Sequence, residues 1–68
     1  MILKVRLTEV LKERGMTQKK LAEDSGLKES VISEMASNKR NSINRYNIGI
    51  VAKTLGISDA SELLCFEE

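Results

Sequence analysis

The side chains best suited to chemistry in this sequence are small polar groups at helical spacing. They stand at i, i+3, i+4 and i+7, which places them on one face of a helix: Ser30, Ser33, Glu34 and Ser37. Two adjacent cations, Lys39 and Arg40, follow this stripe. Hydroxyls and carboxylates exchange hydrogen bonds, and Lys and Arg neutralise anions. Taken alone, the stripe fits a solvated surface helix better than a binding face, so its meaning depends on the elements around it.

The residue inventory argues against an enzyme. The 68 residues include no His, which excludes a histidine-based triad or a histidine metal site. The one cysteine, Cys65, cannot close an internal disulfide or build a cysteine zinc cluster, and we expect it to be a small packing residue. No dense cluster of catalytic groups is visible. We therefore expect no enzymatic activity, no metal, no cofactor and no small-molecule ligand.

The formal charge of +1 conceals an uneven distribution. All 11 Lys and Arg lie within residues 1–58, whereas the last ten residues carry four acids and no base. A basic body is compatible with an anionic partner such as nucleic acid, although the signal is mild. No apolar run approaches the roughly 18 residues that span a bilayer, and a lone thiol without a signal peptide is typical of a reducing compartment. We expect a cytoplasmic protein that does not contact membranes.

Apolar spacing and capping residues predict five short helices. A left-handed residue after the last turn favours glycine, and three helices are expected to end at a glycine: Gly15, Gly26 and Gly56. Hydroxyl side chains are expected to cap the first, second and fifth helices: Thr8, Thr17 and Ser58. The third helix should run from Glu29 to Ser37 and stop at Asn38, since Asn tolerates positive φ. The fourth has the clearest apolar stripe, formed by Ile48, Val51, Ala52 and Leu55.

The two ends of the chain have a different pattern. Residues 2–7 alternate between apolar and basic side chains, which is strand periodicity, and residues 64–67 are compatible with a strand. We favour a short strand pair that joins the termini. The alternative is that residues 1–7 begin the first helix and residues 65–68 fray. The predicted fold is an all-α, compact five-helix bundle, with the strand pair as an addition, in a single domain spanning residues 1–68.

Residues 17–37 have the pattern of a helix-turn-helix. Ala22 lies where the two helices should cross, and a larger side chain there would push them apart. Gly26 permits the positive φ that the turn needs. Leu27 and Ile32 are expected to fill the wedge between the helices.

These residues resemble the Cro and phage-repressor class of helix-turn-helix regulators, also called the xenobiotic-response-element family. The matching positions are Gln18, Leu21-Ala22, Gly26-Leu27, Ile32-Ser33, Asn38-Lys39-Arg40, Ile48 through Gly56, and Ser61 through Leu64. The resemblance covers residues 3–64 and implies a lambda-repressor-like fold in a small stand-alone protein. Lys28 replaces the usual Ser or Thr cap, and Lys20 replaces a frequent Glu, so the reciprocal capping box is lost.

The resemblance implies a sequence-specific, DNA-binding transcriptional regulator, and a repressor in particular. Its third helix would enter the major groove and read bases with the start of its outer face: Glu29, Ser30, Ser33 and Glu34. Phosphate contacts are expected from the helix ends and the following loop: Thr17, Gln18, Lys19, Lys28, Ser37, Asn38, Lys39, Arg40 and Arg45. Glu29 and Glu34 lie unfavourably near phosphate, and one of them is expected to pair with a neighbouring Lys.

The expected partner is double-stranded DNA bound by a homodimer. The candidate dimer surface combines Tyr46, Ile50 and Phe66. Two alternatives share the fold: an antitoxin and a restriction-modification controller. A third is a protein-interaction module that has lost DNA binding, which the two acids on the third helix would favour.

Overall fold

Two terminal strands and four α-helices make up the chain, which the computed structural model describes over residues 1–68. The elements in order are β1 (Ile2–Val5), α1 (Leu7–Glu13), α2 (Gln18–Ser25), α3 (Glu29–Ser37), α4 (Arg45–Leu55) and β2 (Leu64–Glu67). A single 3₁₀ turn, Ala60–Glu62, precedes β2. The fold is therefore mostly helical with a small two-stranded sheet.

The prediction of a fifth helix is wrong. Residues 60–62 form only one 3₁₀ turn, and its cap is Asp59 rather than Ser58, since the Asp59 carboxylate accepts a hydrogen bond from the Ser61 N–H at 2.9 Å. The reason is tertiary. Leu64 begins β2, whose backbone groups bond to β1, so they are not free to continue a helix.

The cap predicted for the first helix is also wrong. The helix begins at Leu7, and Arg6 stands at the cap position without a side-chain bond. Leu7 therefore belongs to α1 rather than to the preceding strand, and its side chain is completely buried in the hydrophobic core. The Thr8 hydroxyl instead donates to the Ala36 carbonyl of α3 at 3.4 Å.

The predicted pair of terminal strands is confirmed. β1 and β2 are antiparallel, with Leu3 opposite Phe66 and Val5 opposite Leu64. The pairing continues one step further, because the Arg6 N–H donates to the Leu63 carbonyl at 2.7 Å. The two ends of the chain thus close on each other beside the helices.

One cluster of eleven buried side chains joins every helix to the sheet. Leu21 of α2 and Ile32 of α3 are fully buried where these helices pack together, and Val51 of α4 lies in the same cluster. The full set is Val5, Leu7, Val10, Leu11, Leu21, Ile32, Ala36, Val51, Leu55, Ile57 and Leu63. All are aliphatic, and both aromatic side chains remain exposed.

Candidate nucleic-acid interface

Helices α2 and α3 are joined by a turn of three residues, 26–28. Thr17 caps α2 as predicted, since its hydroxyl accepts from the Lys20 N–H at 3.1 Å. Gly26 ends α2 with φ +78°, a conformation that a residue with a Cβ rarely adopts. The turn thereby places the start of α3 beside α2, and the bounds of α3 agree with the predicted Glu29–Ser37.

The outer face of α3 is open to solvent. Ile32 and Ala36 hold the helix against the core, while the predicted base-reading residues are all exposed: Glu29, Ser30, Ser33 and Glu34. The hydroxyls of Ser30 and Ser33 form no hydrogen bond within the chain. They can therefore donate to or accept from an external partner without breaking an internal bond. Val31 lies at the edge of this face and is half-buried.

Glu34 is paired, with a partner other than the expected Lys. Its Oε1 accepts from the Arg40 Nε at 2.6 Å, and both side chains are more than half exposed. The guanidinium reaches back over six residues from the loop to α3. This bond uses only one of the five N–H donors of Arg40, and the other four form no hydrogen bond within the chain.

Ser37 and Asn38 are engaged within the chain. The Ser37 hydroxyl donates to the Glu34 carbonyl at 2.8 Å and accepts from the Lys39 N–H at 3.4 Å. Asn38 ends α3 with φ +57°, as expected of an Asn in place of glycine. Its side-chain amide bonds to the backbone of Val5, through Oδ1 at 2.8 Å and Nδ2 at 2.9 Å.

Sequence reasoning missed the contact between Asn38 and Val5. The positive φ follows from local residue preference, but the partner lies 33 positions away. The one available signal was an amide, rather than a glycine, at the end of α3. The amide uses one of its two N–H donors on Val5, so the other remains available for a phosphate contact.

Four of the predicted phosphate-binding cations have no acidic group within 4.0 Å: Lys19, Lys28, Lys39 and Arg45. Each is exposed at or next to a helix end or in the loop after α3. Gln18, in the first turn of α2, is half-buried. Asn44 caps α4 by accepting from the backbone of Tyr46 and Asn47, so its carbonyl oxygen is occupied.

The residues predicted for a dimer surface differ in exposure. Tyr46 and Phe66 are 76% and 68% exposed, whereas Ile50 is half-buried. Phe66 lies opposite Leu3 in the sheet, and Tyr46 is in the first turn of α4. The structure shows two separate exposed aromatic rings on these elements.

No group of three or more His, Cys, Asp or Glu is arranged to hold a metal ion. None of the helices has the length and apolar character needed to cross a bilayer. Cys65 is half-buried in β2 with a free thiol.

The arrangement of α2 and α3 has a counterpart in a known family. The sequence model of the Cro/C1-type helix-turn-helix DNA-binding domain matches residues 6–68, which is nearly the whole chain. No curated protein and no solved structure gives a significant match. The match includes both helices of the motif, the loop after α3 and the C-terminal strand. The chain belongs to the Cro/C1-type helix-turn-helix DNA-binding family.

Proposed function

We propose that this protein is a transcriptional repressor that binds a specific duplex DNA sequence by placing α3 in the major groove. The observation that carries the proposal is the exposed, internally unbonded pair Ser30 and Ser33 on a helix whose other face is locked into the core. Rigid placement of free donors and acceptors is what direct readout of base edges requires. Residues 1–68 act as one domain in this proposal, with residues 17–37 as the reading element.

Base readout is assigned to the start of α3. Ser30 and Ser33 exchange hydrogen bonds with base edges, and the Glu29 carboxylate accepts from a cytosine amino group. Glu34 lies one turn further along and is neutralised by Arg40. This pairing lowers the repulsion that a bare carboxylate would meet beside the phosphates.

Phosphate binding is assigned to the groups around α3. The unpaired cations Lys19, Lys28, Lys39 and Arg45 neutralise the DNA backbone, and Arg40 contributes the N–H donors that it does not use on Glu34. The backbone N–H groups at the start of α2, with Thr17 and Gln18, suit one more phosphate. Asn38 contributes the second N–H of its side-chain amide, and the Ser37 hydroxyl exchanges its bond to the Glu34 carbonyl for one to phosphate.

Repression follows from occupancy, because a protein seated on an operator limits access of polymerase to the same DNA. One module of this size contacts one half-site, so we propose a symmetric homodimer on two half-sites about 34–36 Å apart. Occupancy of the operator is then regulated by the abundance of this protein or by a partner protein.

The test is selection of bound sites from random duplex DNA. We expect enrichment of a two-fold symmetric sequence, and loss of that enrichment in a Ser30→Ala/Ser33→Ala double variant that keeps its fold. A matched control is Thr54→Ala, on α4, whose hydroxyl bonds to the Ile50 carbonyl and takes no part in the proposal. Failure of the folded wild-type protein to enrich any sequence would refute DNA readout. Glu29, which has no cationic partner, would then favour a protein-interaction module.

A further inference from the structure

The outer edge of β1 is the side that faces away from β2. Its outward backbone groups are hydrogen-bonded at Val5 and free at Leu3. In an antiparallel pair, successive residues direct their N–H and C=O groups alternately toward and away from the partner strand. Arg6 bonds to Leu63, so Lys4 and Ile2 also face β2, whereas Val5 and Leu3 face the other way. The outward groups of Val5 are both bonded to the Asn38 amide. No side chain forms a hydrogen bond with the outward N–H or C=O of Leu3.

The backbone N–H and C=O of Leu3 therefore face a groove. This groove, of about 820 Å³, lies between β1, the end of α3, the loop after it and the start of α4. Its apolar lining comprises Ile2, Leu3, Val5, Val31, Met35, Ile43 and Ile48. Ile2 is 71% exposed and Leu3 is 43% exposed. Free main-chain groups beside apolar side chains suit an added extended strand.

The charges of the groove select against strongly charged partners. Its two cations and two acids pair with each other, Lys4 with Glu67 at 3.6 Å and Arg40 with Glu34 at 2.6 Å. An acidic or basic peptide would gain little here. The apolar β1 of a second copy, whose one charge is already paired, matches this neutral surface.

We infer that β1 pairs with β1 of a second copy, antiparallel and centred on Leu3. The two Leu3 residues then exchange both of their outward hydrogen bonds across a two-fold axis, and each Lys4 lies opposite the partner's Ile2. The Asn38 amide stops the pairing at Val5, which fixes the register. The two sheets become one of four strands in the order β2, β1, β1, β2.

The side chains support this register. Leu3 and Phe66 are directly opposed and share a face of the sheet with the buried Val5. A two-fold axis through Leu3 brings two such pairs into one apolar row across four strands, and cross-strand apolar pairs stabilise sheets. The outer edge of β2 is less suitable, because the strand ends in the acids Glu67 and Glu68, so each copy would add negative charge to the contact.

This inference rests on the proposed function, since it supplies the contact of the DNA-bound dimer. The test compares wild type with Leu3→Pro by sedimentation over a range of concentrations. Proline removes the outward N–H but none that bonds to β2, and it is tolerated at strand edges. We expect the wild type to dimerise and Leu3→Pro to raise the dimer dissociation constant roughly tenfold or more, for the loss of both exchanged bonds. Lys12→Ala, which changes an exposed side chain of α1 that does not line the groove, is the control and should dimerise like the wild type.

Hydrogen exchange at the Leu3 amide gives a second readout that needs no variant. We expect its protection to rise with protein concentration, in step with dimerisation. A wild type that stays monomeric, a folded Leu3→Pro that dimerises normally, or a Leu3 amide that exchanges freely in the dimer would each overturn the inference. If site selection still succeeds, the proposed function stands and only this interface is wrong. If the protein pairs through Leu3 but enriches no DNA sequence, the interface stands and the proposed function is wrong.

Discussion

The side-chain amide of Asn38 forms two hydrogen bonds with the backbone of Val5, 33 residues earlier in the chain. The amide occupies the place that a neighbouring strand would take, so it satisfies both outward main-chain groups of a residue that is 2% exposed. The contact joins the end of the reading helix to the terminal sheet. The position of α3 is thereby tied to the element that we assign to the dimer contact.

Replacing Asn38 tests this connection. Asn38→Gly keeps the positive φ of +57° but removes both hydrogen bonds. We expect it to lower the free energy of unfolding by about 1–3 kcal/mol, because Val5 is left with unpaired groups. Asn38→Ala should cost about 1 kcal/mol more, owing to the strain of a Cβ in the left-handed region. Urea denaturation measures both values, and a glycine variant as stable as the wild type would show that the two bonds contribute nothing.

Local signals in the sequence predicted the helix-turn-helix correctly because the caps are local. Thr17 and Gly26 set the bounds of α2 through contacts within four residues. The same kind of signal failed at residues 58–64. Ser58 and the pair Leu63-Leu64 are compatible with a helix, but pairing of β2 with the far end of the chain prevails over that preference.

The candidate site also combines features that the sequence predicts with features that it does not. The exposure of Ser30 and Ser33 follows from the helical period of Ile32 and Ala36, so it could be predicted. The ion pair was predicted only as a bond from Glu29 or Glu34 to a neighbouring Lys. The partner of Glu34 is Arg40 instead, since which side chain of the loop returns to α3 depends on the loop path. The bond from Asn38 to Val5 had one local signal, an amide instead of a glycine at the end of α3, and that signal does not identify a partner 33 residues away.

Lys39 and Arg40 should contribute to DNA affinity in different ways. Lys39→Ala removes an unpaired cation, so we expect weaker binding to all sequences and a salt slope smaller by about 0.9. Arg40→Ala should weaken binding further, because it also leaves Glu34 without its partner. Fluorescence anisotropy over a salt series measures both slopes. Lys12→Ala, on α1, is the control and should leave the slope unchanged. A changed sequence preference with an unchanged slope would show that these residues contact bases.

Glu29→Gln separates two roles of one carboxylate. Loss of the negative charge should raise affinity for all duplexes, since repulsion by phosphate is removed. If the carboxylate accepts from a cytosine amino group, the preference for that base pair should fall at the same time. Comparison of the sites selected by variant and wild type decides the matter. Tighter binding with unchanged specificity means that Glu29 does not read a base.

Asp59 should make stability depend weakly on acid pH. Hydrogen bonds from the backbone N–H and then the hydroxyl of Ser61 lower the pKa of its carboxyl below the ordinary value. A carboxyl with a depressed folded pKa contributes stability above its unfolded pKa of about 3.9, and that contribution disappears as pH falls through the folded value. We expect the melting temperature of the wild type to exceed that of Asp59→Ala at neutral pH and the difference to narrow below about pH 4. A difference that is constant from pH 7 to pH 2 would mean that the carboxylate charge has no part in the cap.

Ser30 and Ser33 lie on the exposed face of α3 and Ile32 lies on its buried face, so substitutions at these positions should give opposite results. Ser30→Ala or Ser33→Ala removes an exposed hydroxyl without an internal partner, so the melting temperature should hardly change. Each should relax the preference at one or two base pairs, with about 1–3 kcal/mol of discrimination at stake. Ile32→Ala removes a fully buried side chain and should cost about 2–5 kcal/mol of stability.

The contrast lies in how binding is lost. In the Ile32 variant, weaker binding should match the unfolded fraction measured by circular dichroism, and the preferred sequence should stay the same, because the readers are unchanged. In the serine variants, the fold should stay intact while the sequence preference changes. Should neither serine variant nor Glu29→Gln alter the selected sequence, the outer face of α3 does not read DNA. Its free hydroxyls and unpaired carboxylate would then be better assigned to a protein partner.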